Sequence, residues 1–392
     1  MSAKIYLKKN EERRIQSGHL WIFSNEIFEI EDEPVNGDIA EVYDFKNNVI
    51  GKGFYNKNSL ISVRLLQLKE EQSFESYAKE KLLSAYQLRK LLYPNRDSFR
   101  LIFSESDFLP GLIIDKYNNS FVLQVYSIGM EKNIQTIVEV LKEELNAENI
   151  FTKNEFYFRK LEGLPEENKI YFGEINEEII DDGIIKYKID FNTGQKTGFY
   201  FDQSDNRFFI EKISKGMNVL DAFCNSGGFG LHTSYMGADS VTFVDSSQTA
   251  IKSAEENFKL NNLKSKSEFI TEDVFDFLNK CVENKKFYDL VIADPPAFAK
   301  NKKTIATAVK GYEKLNKLAM QVINDGGFLA TSSCSHHLSE EEFIKAINQA
   351  AVKSGKKIQQ IYFNGASLDH PRLAAMPETS YLKFTVFRIN KN

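Results

Sequence analysis

The chain has 392 residues, more than one ordinary domain holds, so two or three domains are expected. An apolar fraction of 42% with 27% charged residues fits a soluble globular protein, and no apolar run approaches the ~20 residues that cross a bilayer. The net charge of −5 excludes a uniformly basic nucleic-acid binder and leaves any phosphate contact to local patches.

The N-terminal Met-Ser-Ala-Lys-Ile-Tyr lacks a signal peptide's apolar stretch, so the cytoplasm is the expected location, with no membrane partner. Residues 1–70 read as short strands between turn signals, with Pro34, Gly37-Asp38 and Asn47-Asn48 at turns and strands over 49–55 and 61–66. This predicts a small β-rich module. Residues 71–190 predict an α+β module: a helix over 75–92, a strand over 121–126, and an amphipathic helix over 131–145 carrying Ile134, Val138, Leu141 and Leu145. A hairpin turning at Asp182-Gly183 follows.

From 191 onward, strands alternate with helices, which predicts an α/β fold with a mainly parallel sheet. Strands are expected over 218–221, 240–245, 269–270, 288–293 and 327–331. Ser339 and Glu342 have capping-box spacing ahead of a helix, and a strand over 382–389 is expected to close the sheet.

The first of these strands runs into Asp221-Ala222-Phe223-Cys224-Asn225-Ser226-Gly227-Gly228, a glycine-rich turn where a ligand can approach the backbone. The G-x-G-x-x-G spacing of a pyrophosphate site is absent, which disfavours a dehydrogenase and suits a ligand with an ammonium group. Asp245, followed by Ser246, ends the second strand and can accept from ribose hydroxyls. Asp273-Val274 follows the third strand, where a carboxylate can meet an adenine amino group, and Asp294-Pro295-Pro296 follows the fourth. Any one of these acids fits a cap or a turn. All four at successive strand ends line the crevice where open α/β sheets bind ligands.

This segment resembles the class I S-adenosylmethionine-dependent methyltransferases. Gly194-Gln195-Lys196-Thr197-Gly198-Phe199-Tyr200-Phe201-Asp202-Gln203, Asp294-Pro295-Pro296-Ala297-Phe298 and Ser332-Ser333-Cys334-Ser335 narrow the resemblance. They are similar to the three-domain bacterial and archaeal ribosomal RNA methyltransferases that form 5-methylcytosine in large-subunit (23S) rRNA. His19-Leu20-Trp21-Ile22-Phe23-Ser24-Asn25-Glu26-Ile27 with Tyr55-Asn56 resembles that family's PUA domain, and Asp107-Phe108-Leu109-Pro110-Gly111-Leu112 the start of its middle domain.

The resemblance implies a PUA RNA-binding domain over 1–70, a middle α+β domain over 71–190 and a Rossmann-like methyltransferase domain over 191–392. It implies S-adenosylmethionine as cofactor, held by Asp202, Gln203, Asp221, Phe223, Asn225, Gly227, Asp245, Ser246, Asp273, Val274 and Asp294, and large-subunit rRNA as partner. A homodimer is left open.

Carbon 5 of cytosine is a weak nucleophile, and a thiolate adding to carbon 6 makes it enamine-like. Cys334 is placed for that role by the motif, with Asp294 as the candidate either to contact the cytosine's ring nitrogen and amino group or to help with the proton, the proton-removing base being left open. Pro295-Pro296-Ala297 carries no second cysteine. The cysteines Cys224, Cys281 and Cys334 are too few for a disulfide framework and lack paired spacing, so Cys224 and Cys281 read as structural and no metal site is expected. Phe298 suits either a flipped base or the core, and His336 and His337 suit contact with RNA, tuning of the thiol, or an exposed loop.

Lys8, Lys9, Arg13 and Arg14 form one basic patch, Arg89, Lys90, Arg96 and Arg100 a second, and Lys300, Lys302 and Lys303 a third. Each fits a solvated face. The third lies beside the Pro-Pro turn, where a phosphate backbone can pass, and with Arg13 and Arg14 it makes the expected RNA contacts. Two other readings compete: methylation of a guanine nitrogen without a covalent intermediate, and an RNA-binding assembly factor with an inactive methyltransferase domain.

Overall fold

The computed structural model describes residues 3–192, 196–299 and 302–391. The chain forms two compact units: Met1–Ile180, Ile189–Phe201 and Leu368–Thr379 make the first, and Asp181–Lys188, Asp202–Ser367 and Ser380–Asn392 the second.

The first unit opens with β1 (Lys4–Leu7), α1 (Glu12–Gln16), β2 (Trp21–Phe23), β3 (Ile27–Glu31), β4 (Ile39–Tyr43), β5 (Val49–Tyr55) and β6 (Ile61–Leu66). These strands form one sheet in the order β2-β6-β5-β4-β1-β3 around Ile5, Leu7, Ile22, Val42 and Val63. The predicted strands over 49–55 and 61–66 coincide with β5 and β6.

Next come α2 (Phe74–Leu92), β7 (Phe99–Phe103), β8 (Leu112–Tyr117), β9 (Ser120–Val125), α3 (Ile128–Lys132), α4 (Ile134–Leu145), β10 (Asn149–Thr152), α5 (Phe156–Leu161) and β11 (Ile170–Phe172). The sheet β11-β10-β9-β8-β7 buries Leu101, Ile114 and Leu123 in one core with Leu82 of α2 and Val138 and Leu141 of α4. The helix expected over 131–145 is two helices. They part at Asn133, whose Nδ2 donates to the Gly129 carbonyl at 2.8 Å, a side-chain bond that competes with a continuous backbone ladder.

The predicted hairpin is β12 (Glu177–Asp181) and β13 (Lys186–Asp190). Asp182 Oδ1 accepts from the Ile184 and Ile185 amides, and Gly183 takes φ +100, which a side chain rarely adopts.

The second unit contains α6 (Ser204–Glu211), β14 (Asn218–Ala222), α7 (Gly228–Tyr235), β15 (Ser240–Asp245), α8 (Gln248–Leu260), β16 (Lys266–Thr271), α9 (Val274–Glu283) and β17 (Tyr288–Ala293). It ends with α10 (Ile305–Gln321), β18 (Ile323–Ser333), α11 (Glu340–Lys353), β19 (Lys356–Asn364) and β20 (Lys383–Lys391). The sheet order is β16-β15-β14-β17-β18-β20-β19, parallel from β16 to β18 and antiparallel at β20 and β19. β14 and β17 are nearly all buried, as strands covered on both faces must be, hence the apolar run Leu290-Val291-Ile292-Ala293 of β17 and the Val219-Leu220 pair that precedes Asp221 on β14.

The final strand does not close the sheet as expected. β20 pairs between β18 and β19, and the mixed-polarity strand β19 forms the edge, where charged residues can face water. The capping box at Ser339 is present, with Ser339 Oγ accepting from the Glu342 amide and Glu342 accepting from Ser339 N.

Gly230 sets how closely α7 lies on β15: a Cβ there would meet the Phe243 ring at 2.2 Å. Gly230→Ala should therefore destabilise the second unit by about 1–3 kcal/mol through overpacking, read as a lower urea midpoint.

Candidate active site

The site residues occupy the carboxyl ends of the parallel strands of the second unit. Asp221, on β14, is buried, and its Oδ2 accepts from the Gly230 amide at 2.7 Å. Its Oδ1 is buried without a donor among the described residues, an orphaned acceptor that suits a cationic or hydrogen-bonding ligand. Burial, with the nearby Asp294 charge, pushes Asp221 up to about 7.

The turn after β14 carries Phe223 at φ +62 and Asn225 at φ +48, left-handed conformations that non-glycine residues hold only at some cost, followed by Gly227 at φ +88. Such strain concentrates at ligand-binding turns. Asn225 donates its amide to Asp245 Oδ2 at 3.1 Å, so the first turn is tied to the end of β15. Asp245 Oδ1 takes the Ser247 amide at 2.9 Å, and Ser246 beside it is exposed. Asp273 is exposed and caps α9, accepting from Phe275 N and Asp276 N, while Val274 is buried.

Asp294 follows β17. Gln203 Nε2 donates to its Oδ1 at 3.0 Å, and Ser332 Oγ donates to the same oxygen. Burial and the Asp202 charge push Asp294 up to about 6 against these donors. Asp202 is buried and accepts from Tyr381 Oη at 2.6 Å, and Asn206 Nδ2 holds Gln203 Oε1 at 2.7 Å.

Cys334 follows β18 directly. Unlike the buried Cys224 and Cys281 it is part-exposed, and its Sγ lies 4.0 Å from the Pro295 carbonyl. Burial pushes the thiols of Cys224 and Cys281 up, which removes them as nucleophiles near neutral pH. The Cys334 turn is framed from behind: Ser333 Oγ donates to Tyr312 Oη at 2.8 Å, Tyr312 Oη lies 3.0 Å from Ser335 Oγ, and Ser335 Oγ accepts the Ala299 amide at 3.1 Å.

The structure thus brings Asp202, Gln203, Asp221, Asp294 and Cys334 into one neighbourhood, with Phe223, Asn225, Gly227 and Asp245 on the adjoining turn. Phe298 packs on Tyr312 at 4.7 Å, beside the core. His336 is exposed and stacks on Tyr381 at 5.0 Å. Of the basic positions, Lys303 is exposed, whereas Lys300 and the side chain of Lys302 lie outside the described residues, as do Gly194 and Gln195. Arg13 and Arg14 belong to the first unit. Arg13 is exposed, but Arg14 is tied into its own sheet, donating to Glu26 at 2.6 Å and to the Trp21 carbonyl.

Sequence pattern alone does not mark Ser332, Tyr312, Tyr381 and Lys383 as site residues. The one signal for Lys383 is a lone lysine inside Leu382-Lys383-Phe384-Thr385-Val386-Phe387, since a buried strand rarely carries an ammonium without purpose.

The fold and this site define a class I S-adenosylmethionine-dependent methyltransferase carrying an N-terminal PUA-like domain. Family models agree: a PUA-like domain matches residues 5–68, and an S-adenosylmethionine-dependent methyltransferase matches residues 171–346. Ribosomal RNA large subunit methyltransferase I of Photobacterium profundum is 38% identical over 98% of both chains. The protein of that name in Vibrio campbellii is 36% identical over 98% of both. The chain belongs to this ribosomal RNA large subunit methyltransferase I family. A methyltransferase crystallised with S-adenosylhomocysteine shares the fold, with a TM-score of 0.85, 20% identity and coverage of 99% of this chain and 100% of that one.

Proposed function

We propose that the protein methylates carbon 5 of a cytosine in large-subunit ribosomal RNA, on a three-domain plan of residues 1–70, 71–190 and 191–392. The relatives' names support the rRNA substrate. The observation that carries the cytosine reading is the part-exposed Cys334, 4.0 Å from the Pro295 carbonyl of the turn that bears Asp294.

S-adenosylmethionine supplies an electrophilic methyl group when bound. Asp221, through its orphaned Oδ1, holds the ligand's ammonium. Asp245 takes the ribose hydroxyls, Asp273 and Val274 the adenine, and Phe223, Asn225, Gly227 and Ser246 shape the walls. Cys334 Sγ, as thiolate, bonds to carbon 6 of the cytosine with its own electron pair, and the pair of the carbon 5–carbon 6 double bond moves to carbon 5. Carbon 5 would use that pair to bond the methyl group, the pair of the broken sulfur–methyl bond staying with S-adenosylhomocysteine. A base removes the carbon-5 proton, that C–H pair re-forms the ring double bond, and the carbon 6–sulfur bond breaks to return the thiolate. Asp294, with a carboxyl near 6, shares a proton with cytosine N3 and so draws electrons from the ring as the thiolate adds. Gln203 and Ser332 fix that carboxyl, and Asp202 anchors the strand-end cluster through Tyr381. Lys300, Lys302, Lys303, Arg13 and Arg14 are the proposed phosphate contacts, Arg14 the weakest of them because Glu26 already holds it.

Two expected results follow from Asp221. Asp221→Asn should weaken S-adenosylhomocysteine binding roughly thirtyfold, about 2 kcal/mol, because a buried partner of the ammonium is gone. In the unaltered protein that affinity should fall as pH drops through about 7, because the free carboxyl gains a proton there and a neutral acid no longer attracts an ammonium. Titration calorimetry at pH 6 and pH 8 reads both.

The substrate assignment is tested by incubating the protein with unmodified large-subunit rRNA and methyl-labelled S-adenosylmethionine, then identifying the labelled nucleoside by mass spectrometry. Labelled 5-methylcytosine is expected. A labelled guanine derivative would sink the cytosine reading, and absence of both methyl transfer and S-adenosylhomocysteine binding would favour an assembly factor.

A further inference from the structure

Lys383 opens β20 opposite Ser333 of β18, one residue before Cys334. It is 7% exposed. Its Nζ donates to the carbonyls of Ser335 and Leu338, each at 2.8 Å, and both carbonyls belong to the turn that leaves Cys334. Among the described residues no carboxylate forms an ion pair with it. A buried ammonium satisfied by two carbonyls keeps most of its charge uncompensated.

We propose that Lys383 is a positioning residue for Cys334, holding its turn in place and setting a buried positive charge against its thiolate. This rests on the reading of Cys334 as the nucleophile.

The charges around the sulfur make the case. Asp294 precedes Pro295, whose carbonyl lies 4.0 Å from Cys334 Sγ. Glu340 and Glu342 open α11, and the Tyr312 hydroxyl of α10 comes through Ser333 and Ser335. His336 and His337 are exposed on the same turn. The carboxylates each disfavour a thiolate, and Lys383 on β20 opposes them from a buried position where its field is weakly screened. Loss of hydration pushes the Lys383 ammonium down to about 8, and the negative groups that counter this are Cys334 first, then Glu340 and Glu342. A lysine that stays charged here because a thiolate is near is, by reciprocity, a lysine that helps the thiolate form.

The test is the pH dependence of Cys334 alkylation by iodoacetamide, followed on the Cys334 peptide by mass spectrometry, in the full chain, in K383Q and in K383M. Glutamine keeps a donor for the carbonyls and removes the charge, and methionine keeps the length if glutamine does not fold. The inflection should move up by about one pH unit in either neutral variant, so that alkylation at pH 7 slows about tenfold. K383R should keep the original inflection. Methyl transfer by K383Q should recover when the pH is raised to 9, which a merely loosened turn would not do. An inflection that stays put in the folded neutral variants overturns the role of Lys383. Methyl transfer that survives Cys334→Ala overturns the nucleophile instead, so the two failures are distinguishable.

Discussion

Cys334→Ala should lose methyl transfer to cytosine by roughly a thousandfold or more while binding S-adenosylhomocysteine as well as the unaltered protein. The loss is large because the thiolate is not an accessory: without a bond to carbon 6 there is no enamine, and carbon 5 does not reach the methyl group. Binding is preserved because the acids proposed to hold the cofactor, Asp221 and Asp245, take their hydrogen bonds from Gly230, Asn225 and Ser247, none of which depends on the sulfur. The turn also persists, since Ser333, Ser335 and Tyr312 hold it on the far side. Cys334→Ser should fare little better, a hydroxyl being far less acidic than a thiol. RNA carrying 5-fluorocytosine offers a direct readout. Fluorine cannot leave as a proton does, so the unaltered protein should remain covalently attached to the RNA and migrate with it on a denaturing gel, and the alanine variant should not. Full activity in Cys334→Ala would falsify covalent catalysis.

His232→Ala should destabilise the second unit by about 3–5 kcal/mol, measured as a lowered urea midpoint. His232, on α7, is fully buried. Its Nε2 lies 2.8 Å from Asp182 Oδ2 and its Nδ1 2.6 Å from Glu211 Oε1, so the imidazolium donates to two carboxylates at once. Burial opposes its charge, yet Asp182 and Glu211 together hold the imidazole above its ordinary value. The same contact, with the Ile185 amide, holds Asp182 down to about 2 against the cost of its own burial. Alanine leaves the buried Asp182 and the part-buried Glu211 without that cation. The pH dependence has a defined sign. A raised histidine contributes stability that is full below about 6.5 and is lost as pH rises through its folded value. Asp182 contributes stability that is full above about 3.8 and is lost as pH falls towards 2. The gap between the unaltered protein and His232→Ala should therefore be wider at pH 6 than at pH 9. A gap that grows with pH would show that the histidine is held neutral.

Along the chain, features that depend on neighbouring residues were legible in advance. β17 announces itself as a short unbroken apolar run because both its faces are covered, and the Asp182-Gly183 turn because glycine tolerates φ +100. The glycine turn after Asp221 and the capping box at Ser339 are likewise local chemistry. The candidate acids could be ordered in advance because, in a parallel sheet, every strand delivers its last residues to the same edge. Other features needed the third dimension. The break at Asn133 depends on which carbonyl its amide reaches, and the inner place of β20 on which strand has enough polar side chains to stand at the edge. Asp182 was readable as a turn residue, but not as the counter-charge of His232, fifty positions away in the chain. In the same way Lys383 meets the Cys334 turn only because β20 pairs antiparallel with β18. The class of fold and the strand-end acids can be read along the chain because they rest on local conformation and periodicity, and the family resemblance because it rests on short motifs. Which of those groups are buried and charged together is set by the folded chain, because desolvation and Coulomb attraction depend on distance in space, and the chain's order does not set that distance.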